Sequence, residues 1–335
     1  MDNGFAFEIR GLRTTFPGPR GPVAIVDGVS LAVRPGEILA VVGESGSGKS
    51  MTFLSALGLL AKPGRVDAGE VLAGGRDLLK LDPEALRACR GSEVSMIFQD
   101  PLSGLNPVFC VGDQIVEVIR AHREVSYTQA KVQAIELLLR MQIPDAPRRF
   151  DHYPHQFSGG MCQRVLIAMA IALGPRVLIA DEPTTALDVT VQAQVLDLID
   201  GLRRATGMAV VLITHDLGIV ARHADRVAVM YAGCIVEQGG VAEVFAEPRH
   251  PYTLSLMRSI PHLDGCADDD LVPIASQPPL PGSVPAGCAF EERCFLGRGR
   301  DECLVKRPAL HVAGGPDHLS ACHFSSTLDA ARAMA

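Results

Sequence analysis

The chain has 335 residues, 47% of them apolar, with 33 glycines, 23 prolines and no tryptophan. That composition can bury a core and excludes a disordered chain, and the length suits a main domain with an appendage. A formal net charge of −7 and only 5% aromatic residues speak against a non-specific nucleic-acid binder, which needs a basic face or a stacking platform.

Residues 1–10 have no charged start followed by a long apolar stretch, so no signal peptide is expected. The longest apolar run, 165–173, has nine residues, against ~20 for a membrane-spanning helix. Phe5, Phe7 and Ile9 alternate as in a strand, and 23–33 is β-rich, with Gly28 interrupting. The apolar run 37–42 ends in a glycine-rich loop, and a helix is expected from Lys49 to about Leu60.

That loop, Gly43-Glu44-Ser45-Gly46-Ser47-Gly48-Lys49-Ser50, with Met51 following, fits the phosphate-binding P-loop. Its glycines let successive backbone N–H groups point at phosphate oxygens, Lys49 supplies a point charge near the β and γ phosphates, and Ser50 offers a hydroxyl to Mg²⁺. The helix adds its positive end.

A buried strand is expected at 94–98 and helices at 111–122 and 128–141, before Pro144, Pro147 and Pro154 break the pattern. Ser158 opens another helix, stopped by Gly174-Pro175. The strand 177–180 delivers Asp181 to the metal's surroundings, and Glu182 stands where a base could orient or deprotonate an attacking water. Val191, Val195, Ile199 and Leu202 recur at helical spacing, and 208–214 and 227–231 read as strands. Strands alternating with helices imply a mainly parallel sheet. After about 261 periodicity fades and cysteines gather, which sets a boundary there.

With these residues in place, the chain resembles an ABC-type ATPase over most of 5–260. Ser158-Gly159-Gly160 resembles the start of the signature helix, which in that family completes the ATP site of the opposite subunit. Gln99 matches the Q-loop, Ala186-Leu187-Asp188 the D-loop, His215 the switch histidine that contacts the γ-phosphate, and Phe16 the aromatic that stacks on adenine. The segments Gln99-Asp100-Pro101, Leu105-Asn106-Pro107 and His250-Pro251-Tyr252-Thr253 closely resemble the oligopeptide/dipeptide importer ATPases. Cys162 stands where that group usually has Arg, with a modest effect expected on the helix's surface contacts.

Cys288, Cys294, Cys303 and Cys322 lack the tight C-x₂₋₄-C pairs of most zinc sites. Four thiolates can hold an iron–sulfur cluster, and a zinc site or unligated thiols are the alternatives. The resemblance implies an iron–sulfur (4Fe-4S) cluster, although Phe295 replaces a usual Pro. The quartet lies far along the chain from every nucleotide motif, so a structural role independent of nucleotide affinity is expected.

The expected fold is α/β: a P-loop NTPase core with a mainly parallel sheet, an N-terminal antiparallel β subdomain, an inserted α-helical subdomain and a small Cys-containing C-terminal extension. The ATPase domain is expected at 5–260, with its helical part at about 102–173, and the extension at 261–335. The resemblance implies an ATP-hydrolysing subunit, using ATP and Mg²⁺, that drives uptake of di- or oligopeptides. Its implied partners are two membrane permease subunits, a second homologous ATPase (heterodimer, or homodimer) and an extracytoplasmic solute-binding protein, with no nucleic acid. The implied location is the cytoplasmic face of the membrane. Rival readings are an importer of nickel or another small solute, and a soluble ABC ATPase outside transport. The latter typically carries coiled coils or zinc modules, and nothing like them lies between Gln99 and Ser158.

Overall fold

Every residue of the strands Val177–Asp181 and Ala209–Ile213 is buried. Strands buried on both faces pair in parallel beneath helices. These two do so, with Val177 opposite Ala209, and Val94–Ile97 joins them with Val94 opposite Val177. The computed structural model describes residues 4–19, 21–100, 104–185, 187–259, 274 and 276–328. Pro101, Ala186 and the expected boundary at 261 lie outside them.

The described chain forms two units. The first takes residues up to Glu8, Ala32–Ile38 and Val71–Ile213, and holds the parallel trio above. In it the helices Val111–His122, Tyr127–Arg140 and Gly159–Ile171 pack on one another. Ser126 and Gln129 start the second of these with a reciprocal capping box, a device worth about 1 kcal/mol. Gly112 admits the Phe150 ring: a Cβ there would lie 2.2 Å from it. The helix Val189–Thr206 is stopped by Gly207 in the left-handed conformation, φ 71°.

The second unit takes Ile9–Leu31, Leu39–Glu70 and the chain from Thr214 onward. The strands Gly21–Val33, Phe7–Gly18 and Arg65–Ala73 are hydrogen-bonded in that order. Ile38–Val42 runs parallel to Arg226–Tyr231, as expected. Cys234–Gly240 then pairs antiparallel with Arg226–Tyr231, and Leu319–Ser320 and His311–Val312 extend the sheet, again antiparallel. The sheet here is therefore mixed, and residues from the cysteine-bearing tail are part of it.

The helix after the phosphate loop is Lys49–Ala56, shorter than expected. Gly58 at φ 62° turns the chain, and Leu59 N–H donates to Leu54 O at 2.8 Å while Gly58 N–H donates to Ser55 O at 3.1 Å. This is the paired closure of a Schellman motif. No helix among the described residues is long and apolar enough to cross a membrane.

Candidate nucleotide site

In the second unit, the fully buried strand Ile38–Val42 delivers the chain into the glycine-rich loop. Gly43 has φ +150°, and a Cβ there would lie 2.2 Å from Met230 O. Gly48, at φ +102°, caps the helix Lys49–Ala56. A side chain at either position would push the loop away from the sheet. Lys49 is 6% exposed, and its Nζ donates to Gly43 O at 2.8 Å and to Glu44 O at 3.0 Å. A buried ammonium needs such partners. Ser47 Oγ is buried and has no hydrogen-bond partner among the described residues. A glycine-rich loop at a helix N-terminus, with one buried cation and one unsatisfied hydroxyl, fits a polyphosphate.

Two further predicted residues lie in this unit. Phe16 is half-buried, with its ring against Gly64, where a Cβ would come within 2.4 Å of it. His215 is exposed just past the buried Ala209–Ile213. Next to it Asp216 caps the following helix, accepting from Gly218 N–H at 2.8 Å.

In the first unit, the strand Val177–Asp181 ends on buried Asp181. Glu182 has φ 45°, a left-handed conformation rare for a residue with a side chain and common where function demands strain. Its Oε2 accepts from Gln99 Nε2 at 2.8 Å and from Thr185 Oγ1 at 2.9 Å. The chain thus brings Gln99 onto Glu182 across 83 positions. Thr185 was not foreseen, although it sits three residues past the glutamate.

Ser158 caps the helix Gly159–Ile171, with its Oγ accepting from Met161 N–H at 3.4 Å. Ser158 and Gly159 are exposed, leaving the helix's positive end open. Gly160 is required by packing: a Cβ would lie 2.5 Å from Val191 Cγ1. Asp188 caps the helix Val189–Thr206, accepting from Val191 N–H at 3.0 Å. Cys162, expected at the helix surface, is buried at 1% exposure, with Sγ facing Pro154 O at 3.5 Å. An arginine there would have to bury its charge.

The four tail cysteines line one small pocket with His250 and Phe290. Gly297 N–H donates to Cys294 Sγ at 3.1 Å, and Phe324 N–H to Cys322 Sγ at 3.4 Å. A Cβ at Gly297 would lie 2.8 Å from Cys303 Sγ and 3.4 Å from Cys294 Sγ. Burial pushes the Cys288 thiol up to about 11 and the Cys322 thiol up to about 12, and raises Cys294 and Cys303 as well. Among the described residues, no group of three or more His, Cys, Asp or Glu is gathered to hold a metal ion. The expected iron–sulfur cluster therefore gains no direct support from this geometry.

The tail also reaches the phosphate loop. Arg293, one residue before Cys294, pairs with Glu44 through both guanidinium nitrogens. The quartet was expected to stand apart from the nucleotide motifs, and this ion pair removes that separation. The dipeptide Arg293-Cys294 was visible in the sequence, but nothing in it pointed to Glu44.

A family described as ABC transporter matches residues 26–185, and one described as Oligopeptide/dipeptide transporter, C-terminal region, matches residues 236–303. A putative peptide import ATP-binding protein of Brucella melitensis is 50% identical over 298 residues, covering 86% of this chain and 88% of that protein. The oligopeptide transport ATP-binding protein OppD of Bacillus subtilis is 48% identical over 287 residues, covering 85% and 80% respectively. The ATP-binding cassette MJ0796, in a dimeric post-hydrolysis state bound to ADP and Pi, is similar with a TM-score of 0.63 at 26% identity, over 70% of this chain and 98% of that one.

Proposed function

The chain belongs to the ATP-binding subunits of ABC transporters, in the oligopeptide/dipeptide family, and from that premise we propose that it is the ATP-hydrolysing motor of an importer for di- or oligopeptides. The observation that carries the reading is the phosphate loop, with buried Lys49 and the unsatisfied Ser47 hydroxyl at a helix N-terminus. The peptide cargo rests on the relatives named for peptide import and oligopeptide transport.

In this reading the loop 43–51, with Lys49, holds the phosphates, and Phe16 stacks on adenine. Ser50, Gln99 and Asp181 would hold Mg²⁺, which when bound neutralises charge on the phosphate oxygens. Glu182 orients and deprotonates the attacking water, with Gln99 and Thr185 fixing its carboxylate. His215 senses the γ-phosphate. Ser158, Gly159, Gly160 and Asp188 serve the ATP of a second, homologous subunit, a pairing supported by the dimeric state of the related cassette MJ0796. The ATPase domain takes 5–260, with its helical part at about 102–173, and 261–335 is the extension. Having no long apolar helix among its described residues, the subunit would be held at the cytoplasmic face by two permease subunits, with a solute-binding protein outside.

Reconstituted with these partners in vesicles, the chain is expected to drive ATP-dependent uptake of a labelled tripeptide. Uptake of nickel with no response to peptide would replace the cargo while keeping the motor.

A finer reading concerns the tail pocket, which we propose holds an iron–sulfur (4Fe-4S) cluster of structural role, since hydrolysis transfers no electrons. Cys288, Cys294, Cys303 and Cys322 around one pocket, with N–H donors to two of their sulfurs, would be the ligands of such a cluster. Anaerobic purification should give a brown protein with about four irons per chain. A colourless protein with stoichiometric zinc would sink the cluster.

A further inference from the structure

Glu44 follows the first glycine of the phosphate loop, and C-terminal residues hold it at two points. Its N–H donates to Tyr252 Oη at 2.8 Å. Its carboxylate receives Arg293 in a fork, Nη1 to Oε2 at 2.6 Å and Nη2 to Oε1 at 2.9 Å. The Arg293 side chain is only 3% exposed, and its guanidinium lies 5.7 Å from the Tyr231 ring centre and 5.9 Å from that of Phe290. Those two rings pack with Tyr252 at centroid distances of 4.6 to 5.3 Å.

The turn that presents Arg293 is framed by two pocket cysteines. Glu291 N–H donates to Cys288 O at 3.1 Å, and Cys294 N–H donates to Glu291 O at 3.0 Å. A buried guanidinium is costly unless paired, so this arginine is fixed where its carboxylate is. The planar fork fixes both carboxylate oxygens in return. The pair also neutralises a negative charge within the loop expected to receive a polyphosphate. Unpaired, that carboxylate would repel the ligand, and the loop would lose its anchor.

We propose that Arg293 is a positioning residue of the nucleotide site: through Glu44 it keeps the phosphate loop in its binding shape, and the cysteine pocket sets nucleotide affinity by holding Arg293. This rests on the reading of 43–50 as the ATP-binding loop. The relevant measurement is the Kd of the full-length chain for Mg-ADP, by calorimetry, with thermal melting of the nucleotide-free protein alongside.

Arg293→Ala is expected to raise Kd about tenfold, and Glu44→Ala about threefold. The double variant should match Glu44→Ala, because removing the stranded carboxylate undoes part of the damage. A role in folding alone does not produce that partial rescue. Arg293→Lys should fall between, since an ammonium cannot fork. Cys288→Ser should raise Kd in the same direction and add nothing to Arg293→Ala. A folded Arg293→Ala with Kd within about twofold of wild type, or additive penalties in the double variant, would overturn the proposal. Should Arg293→Ala not fold, Glu44→Gln decides, because it keeps the shape and removes the charge, and an unchanged Kd overturns the proposal. Wild-type protein that binds no Mg-ADP refutes the ATP-site reading itself. Wild-type binding with indifferent Arg293 and Glu44 variants refutes this inference alone.

Discussion

Glu182→Gln is expected to slow ATP hydrolysis at this site by about 10²- to 10⁴-fold, the usual worth of a general base, while Mg-ATP stays bound. Glu182 Oε2 accepts from Gln99 Nε2 and Thr185 Oγ1, both donors. A glutamine can satisfy them only by turning its single oxygen toward them. Its NH₂ then takes the place of the other carboxylate oxygen, a donor where an acceptor is needed. Shape and packing survive, and the proton acceptor is lost. The groups proposed to hold Mg-ATP are unchanged in this variant, so affinity is expected to persist. With hydrolysis blocked, the closed pair of ATPase subunits should outlive its normal cycle. Sizing or cross-linking of the variant with its partner in Mg-ATP would reveal a long-lived, ATP-dependent dimer. Near-normal hydrolysis would move the role to His215 or to positioning alone.

Lys49→Ala should be more severe for binding. Lys49 is buried, and its ammonium is bonded to two carbonyls of the loop it serves. Alanine removes the cation and leaves Gly43 O and Glu44 O without that donor, next to a ligand that carries negative charge. A hydrogen bond to a charged group is worth about 1.5–3 kcal/mol, so nucleotide affinity is expected to fall by about 10- to 100-fold. Turnover here should vanish. A partner subunit could keep its own site running, so bound ATP must be counted at this site within the assembled pair. Affinity within about threefold of wild type would mean that the phosphates are held elsewhere.

What the sequence made legible was what neighbours along the chain build together. Strand, loop and helix around 43–50 announce themselves because one motif needs all three in succession. The same holds for 177–182, and for Ser158 before its helix. The ends of elements were less legible. Leu59 and Leu60 continue the apolar pattern of the helix Lys49–Ala56, and only the left-handed Gly58 reveals that it has closed. The two-residue strands His311–Val312 and Leu319–Ser320 are too short to show alternation, so the antiparallel edge of the sheet went unread. Asp188 carried two signals at once, a family motif and an N-cap before a helical period, and within this chain the cap is what its side chain makes. The pairing of Glu44 with Arg293 left no trace in any pattern, because charge partners remote along a chain share no periodicity.

That remoteness bears on how each copy is made. Glu44 leaves the ribosome 249 residues ahead of Arg293. At ordinary translation speeds of about 5–20 residues per second, every nascent chain spends about 12–50 s with its loop written and its holder not yet synthesised. A polypeptide released early by a premature stop codon would display all the motifs from Gly43 to His215 and still lack the guanidinium that secures the first of them.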